Sequence, residues 1–146
     1  IDQCEQEIGF LSDKFGDIEN LKFVAVDMTN LTGLEKSDYL YSRFTIHAID
    51  KPGEERLIKW ASNNLKNNCL FFVEVRSVKD ELFGQGKALA DNAFFTDHYR
   101  RFIVLEELIN CFSKNGLEVI YSLESKGLAP YKTQDPVVIR IIGQKK

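Results

Sequence analysis

The stretch that decides the fold runs from Leu117 to Gln144, LEVIYSLESKGLAPYKTQDPVVIRIIGQ. Two segments rich in β-branched residues, LEVIYSLES (117–125) and DPVVIRIIGQ (135–144), frame the short stretch KGLAPYKTQD. That stretch carries Gly127 and Pro130 and has no room for a helix. Parallel neighbours need a crossover of a dozen or more residues, so the two segments read as an antiparallel, hairpin-like pair.

Outward from this pair, apolar runs alternate with helical patterns. RRFIVLEELINCFSKNG (100–116) reads as a helix from Arg100, stopped by Gly116. CLFFVEVR (69–76) is a near-continuous apolar run, the kind of strand buried on both faces. KPGEERLIKWASNNLKNN (51–68) opens with Pro52 and acids and places Leu57, Trp60, Ala61 and Leu65 on one helical face. KSDYLYSRFTIH (36–47) is a strand that ends in polar Ser42 and Arg43. NLKFVAVDM (20–28) is a short strand ending at Asp27. EQEIGFLSDKFG (5–16) sets Ile8, Leu11 and Phe15 at helical spacing before Gly16. Strands alternating with helices give an α/β domain with a mostly parallel sheet, here with an antiparallel last strand.

The totals agree with one compact domain. The chain has 146 residues, 44% hydrophobic and 28% charged, with a net charge of −3. That balance supplies no basic field for nucleic acid or an anionic membrane. No apolar run approaches the roughly 20 residues that span a bilayer, and the N-terminus is polar and acidic, unlike a signal peptide. Cys4, Cys69 and Cys111 are odd in number and far apart, without a Cys-x-x-Cys or Cys/His cluster. They read as free thiols, two of them buried, in a reducing cytoplasm, and a metal site is not expected.

Several segments, in order, resemble the class I S-adenosylmethionine-dependent methyltransferases. Ile1-Asp2 resembles the end of that family's second strand, and Asp27-Met28 the end of its third. DYLYSRFTIHAI (38–49) resembles the fourth strand and the loop after it. SRFTIHAI, VRSVKDELFGQG, FTDHYRRF and ESKGLAPYKTQDPVVIRII together look like a subgroup of tellurite-resistance-type and surface-polysaccharide-associated methyltransferases. The resemblance implies a three-layer Rossmann-like fold with S-adenosylmethionine as cofactor. Asp2, beside Gln3, would accept from the ribose hydroxyls. Asp27 would accept from the adenine amino group, with Met28 lining the ring. Ser42, Arg43 and Phe44 would face the methyl donor.

The family's Gly-rich loop, Asp/Glu-x-Gly-x-Gly-x-Gly, is absent, and FGQG (83–86) stands in the wrong place to replace it. Residues 1–146 are therefore expected to be the C-terminal two-thirds of a single methyltransferase domain, lacking the first strand and helix. Strand edges left unpaired by that loss invite pairing with a second copy, so a homodimer is a candidate assembly.

EVRSVKDELFGQGKALADNAFFTDHYRRF (74–102) carries the densest polar chemistry. It starts at a strand's carboxyl end, where ligands sit in this fold, and reads as a wall or lid over a small-molecule substrate. Arg43, Arg76, Tyr99 and Arg101, with Arg100 as the other choice, are candidates to hold an anionic acceptor. The tandem arginines otherwise pair with Asp97 or Asp80, or stay solvated. His47 and His98 are candidate general bases. The alternatives are a packed or surface His47 and a helix-capping His98. Tyr39, Tyr41 and Trp60 read as core or cofactor-wall packing. The reaction implied is methyl transfer to an oxygen of a small anionic or sugar-type acceptor. The alternatives are a soft acceptor, such as tellurite or a thiol, or a non-catalytic domain acting in assembly.

Overall fold

The structure is a computed structural model that describes residues 1–32 and 35–146. The chain divides into two compact units, Ile1–Leu34 and Glu35–Lys146. The first unit holds helix α1, Glu5–Phe15, with Glu5 and Glu7 in the first turn and Lys14 in the last, signs that suit the helix dipole. Its anchor is buried Ile8, and Gly16 closes it by donating to Ser12 O. The strand expected at residues 20–28 is reduced to one parallel bridge, Asp2 opposite Ala25. Asp2 N donates to Val24 O at 3.2 Å and Val26 N to Asp2 O at 2.9 Å. The partner segment, residues 1–3, offers a single pair before α1 begins.

The second unit is built on a four-stranded sheet. Its strands are β1 (Ser37–Arg43), β2 (Leu65–Arg76), β6 (Leu117–Ser125) and β7 (Val138–Lys145), in the order β1-β2-β7-β6. β1 and β2 run parallel, joined through helix α2 (Lys51–Asn64). β7 lies antiparallel between β2 and β6, as the Leu117–Gln144 reading requires. The α/β class with a mostly parallel sheet and an antiparallel last strand is what the sequence indicated: β1, β2 and β6 share one direction and β7 alone runs against them, so its two pairings are the antiparallel ones.

Alternation along β2 and β7 sends Phe71, Val73, Val75, Ile139 and Ile141 to one buried face. Phe71 stacks on Phe112 of helix α3 (Leu105–Lys114), ring centroids 5.5 Å apart. Gly143 makes that approach possible, because a Cβ there would stand 2.6 Å from Phe112 Cδ1. The same alternation puts Tyr39 and Tyr41 on the opposite face with Phe72 and Ile142. Both tyrosines are exposed, 68% and 70%, so they are not core residues. Trp60 is half-buried on α2, whose buried positions are Leu57, Ile58 and Ala61 together with Gly53, Glu54 and Ser62; Leu65 already belongs to β2.

The polar crossover is structured. It carries a three-stranded antiparallel sheet, β3 (Lys87–Ala88), β4 (Ala93–Phe95) and β5 (Tyr99–Arg101), beside a cluster of Phe83, Phe94 and Phe102. Helix α3 therefore begins at Leu105 and not at Arg100. The aromatic and β-branched run from Tyr99 to Val104 favours extended backbone. Ile103 N is taken by Arg76 O at 3.0 Å. Of the three free cysteines only Cys111 is buried; Cys69 is half-buried and Cys4 exposed. Among the described residues no helix is long and apolar enough to cross a membrane.

Candidate functional site

In the first unit the bridge at Asp2 and Ala25 brings two acids to neighbouring extended segments. Asp2 Oδ1 accepts from Cys4 N at 2.8 Å, and Asp27 Oδ1 accepts from Thr29 N at 2.8 Å and from its hydroxyl at 2.9 Å. Both carboxylates are exposed; Gln3 is exposed beside Asp2, and Met28 is half-buried beside Asp27. Exposed acceptors of this kind fit a pair of ribose hydroxyls and an exocyclic amine.

In the second unit the site grows from the carboxyl ends of β1 and β2. β1 ends at Arg43, and Phe44 then adopts φ +54°, a left-handed conformation that is strained for a bulky residue. Its N–H donates to Glu74 O at 2.9 Å, which fixes the reversal. The chain enters a 3-10 turn, Ile46–Ala48, pinned by fully buried Ile46. This places the His47 ring 5.4 Å from the Phe44 ring. Arg43 Cζ lies 4.8 Å from the same ring and Arg76 Cζ 6.0 Å from it. Four of the sequence-selected residues thus share one corner.

Buried carboxylates hold the two arginines. Glu74 accepts from Arg43 Nε at 2.8 Å and, across the sheet, from Arg140 Nε at 2.6 Å. Asp80 accepts from Arg76 Nη1 at 3.0 Å. Glu74 and Arg140 were missed in the sequence. The signal was present: each is a lone charge in an otherwise apolar run, and a charge in such a run calls for a partner of opposite sign.

His47 Nδ1 is enclosed and has no hydrogen-bond partner among the described residues. Burial first, then the charges of Arg76 and Arg100, lower its pKa to about 4. His47 is therefore a neutral imidazole at physiological pH, an acceptor with little basicity of its own. Ser42 Oγ is likewise enclosed without a partner among the described residues, on the side of β1 opposite Arg43.

His98 sits in the turn between β4 and β5, not at a helix start, so it caps nothing. Its Nδ1 is 2.9 Å from Asp97 Oδ1, and Arg100 Nη2 approaches its Nε2 at 2.8 Å. The Thr96 hydroxyl bonded to Asp97 leads the effects that hold that carboxyl down at about 2. Tyr99 is half-buried, and desolvation raises its phenol pKa.

Arg101 differs from the expectation that it binds substrate. It is 3% exposed, bonds buried Glu54 of α2 through Nη2, and donates from Nε to Ile49 O at 3.0 Å. Its guanidinium is consumed in tying the crossover to α2. Among the described residues no group of three His, Cys, Asp or Glu side chains could hold a metal ion.

No family model matches the sequence, and no curated protein matches it. Solved structures do. A methyltransferase of Methanosarcina mazei, S-adenosylmethionine-dependent by its description, superposes with a TM-score of 0.78 at 13% identity, covering 99% of this chain and 79% of that one. An S-adenosylmethionine-dependent methyltransferase from Clostridium acetobutylicum gives 0.75 at 14% identity, covering 98% and 72%. TehB from Haemophilus influenzae gives 0.71 at 14% identity, covering 99% of this chain but 48% of its own. At these identities the likeness is one of fold: the chain has the Rossmann-like fold that these methyltransferases share.

Proposed function

We propose that the chain is the larger, C-terminal part of an S-adenosylmethionine-dependent methyltransferase domain. The proposed reaction is methyl transfer to an oxygen of a small anionic or sugar-type acceptor. The observation that carries the reading is the sheet order β1-β2-β7-β6 with β7 antiparallel, joined to a cation-rich corner at the carboxyl ends of β1 and β2. The residues present fit the adenosine part of the cofactor at Asp2 and Asp27, with Gln3 and Met28 beside them. The Gly-rich backbone for its methionine part is not among the 146 residues.

The cofactor, when bound, supplies an already activated methyl group. The chain's own part is positioning and proton handling. Arg43 and Arg76 hold the acceptor's anionic group, and Phe44 forms the wall between them. His47 accepts the hydrogen bond of the attacking hydroxyl. His98, oriented by Asp97, becomes the second proton acceptor once Arg100 releases its Nε2, with Tyr99 next to it in the crossover. Ser42, in register with Val73, offers an unpartnered hydroxyl on the side of β1 opposite Arg43 and is proposed to face the methyl donor. The reading places the protein in the cytoplasm, acting on a small molecule, in the TehB-like and polysaccharide-associated subgroup. The other reading is a methyltransferase-like domain that acts in assembly without chemistry.

The test is calorimetric titration of S-adenosylmethionine into the chain, with the mass of the assembly measured on the same sample. Binding that is lost in Asp2→Ala and Asp27→Ala supports the reading, and a doubled mass would add the homodimer. No heat of binding would remove cofactor chemistry from this chain and favour the non-catalytic reading.

A further inference from the structure

The charges that act on His47 are those of Arg76, Arg100, His98 and Arg101. Arg43 shares the Phe44 ring with Arg76. The acids of these elements are already engaged: Glu74 with Arg43 and Arg140, Asp80 with Arg76, Asp97 with His98, Glu54 with Arg101 and Lys51, and Asp50 as the cap of α2. Among the described residues Arg43 commits only its Nε to a hydrogen bond, and its side chain is half-exposed. The strained Phe44 backbone holds the two guanidinium groups and the imidazole around one ring.

We propose that this corner binds an oxyanion and that His47 takes up a proton as the anion binds. The inference rests on the proposed function only in taking the acceptor to be anionic. Two features of the apo corner hold His47 neutral. The arginines repel a third cation, and a protonated Nδ1 would be a buried donor with no acceptor. An oxyanion between Arg43 and Arg76 removes both, because it cancels the field and accepts the Nδ1 proton. Linkage then runs both ways: anion affinity rises as pH falls from the bound-state pKa of His47 toward its free-state value. Above that bound-state pKa the imidazole stays neutral, and the same anion leaves it a stronger proton acceptor than in the free corner.

The experiment is NMR titration of the imidazoles in the whole chain, with and without inorganic phosphate. The chain has two histidines, so His98→Gln assigns both signals. Phosphate is expected to raise the His47 pKa by about one unit or more, each unit corresponding to tenfold tighter anion binding by the protonated form. Arg43→Gln and Arg76→Lys should shrink that rise. Should Arg76→Lys fail to fold, Arg43→Gln at its half-exposed site carries the test. A His47 titration unchanged by phosphate overturns the proposal, whether phosphate stays unbound or moves only His98. The readout needs no cofactor, so failure of the S-adenosylmethionine titration leaves it standing, and its own failure leaves that titration unaffected.

Discussion

Replacing Arg101 tests whether the arginine pair in the crossover divides into a structural and a functional member. Glu54 is fully buried and has two cationic partners, Arg101 and Lys51, whose Nζ is 3.2 Å away. Arg101→Met removes the closer partner and takes the donor from Ile49 O. Breaking a buried pair from one side costs about 3–5 kcal/mol, because the surviving charge stays buried. Lys51 remains and its side chain is 26% exposed, so the loss should fall at the low end, about 3 kcal/mol. Against a typical domain stability of about 5–15 kcal/mol, that is a large fraction. Urea unfolding followed by the fluorescence of Trp60, the single tryptophan and a member of the same helix as Glu54, reads it directly. The double variant Glu54→Leu/Arg101→Met removes both charges, and its stability should return to within about 1 kcal/mol of the parent. If Arg101→Met leaves the urea midpoint unchanged but abolishes acceptor binding, the reasoning fails and Arg101 is a substrate ligand after all.

Two further outcomes follow from named contacts. Gly143→Ala should destabilise by about 1–3 kcal/mol, since the new Cβ meets a fully buried Phe112 ring already stacked on Phe71. Thermal melts check this, and Phe112→Leu in the same chain should recover part of the loss. For His47 the folded pKa lies near 4 and the unfolded one near 6.5. The unfolded chain therefore binds the extra proton first, and stability is lost as pH falls from about 6.5 toward 4. His47→Phe should remove up to about 3 kcal/mol of that loss. Stability curves for parent and variant that stay parallel through this window would show that His47 is not held neutral.

The difference between what the sequence disclosed and what it hid is a difference of range. The antiparallel end of the sheet was legible because the length of 126–135 forbids a helical crossover, a constraint local to one stretch. α1 and the body of α2 were legible for the same reason: their periodicity and first-turn acids lie within one element. The start of α3 was misplaced because two signals overlap at Tyr99–Val104. Charged residues suggested a helix entry, while β-branching and pairing to β4 and Arg76 O decided for strand, and the pairing partners lie outside the segment. The core reading of Tyr39 and Tyr41 failed because residue type says apolar but only register says which face. The site divided in the same way. Arg43, His47 and Arg76 could be placed at strand ends from spacing alone. That Arg101 is consumed by Glu54, and that Glu74 serves both Arg43 and Arg140, depends on contacts spanning 31 to 66 residues. All three arginines are paired to buried carboxylates, so pairing does not separate them; exposure does, with side chains 51% exposed at Arg43, 13% at Arg76 and 3% at Arg101. Exposure of this kind is set by packing across elements, which no single stretch of sequence displays.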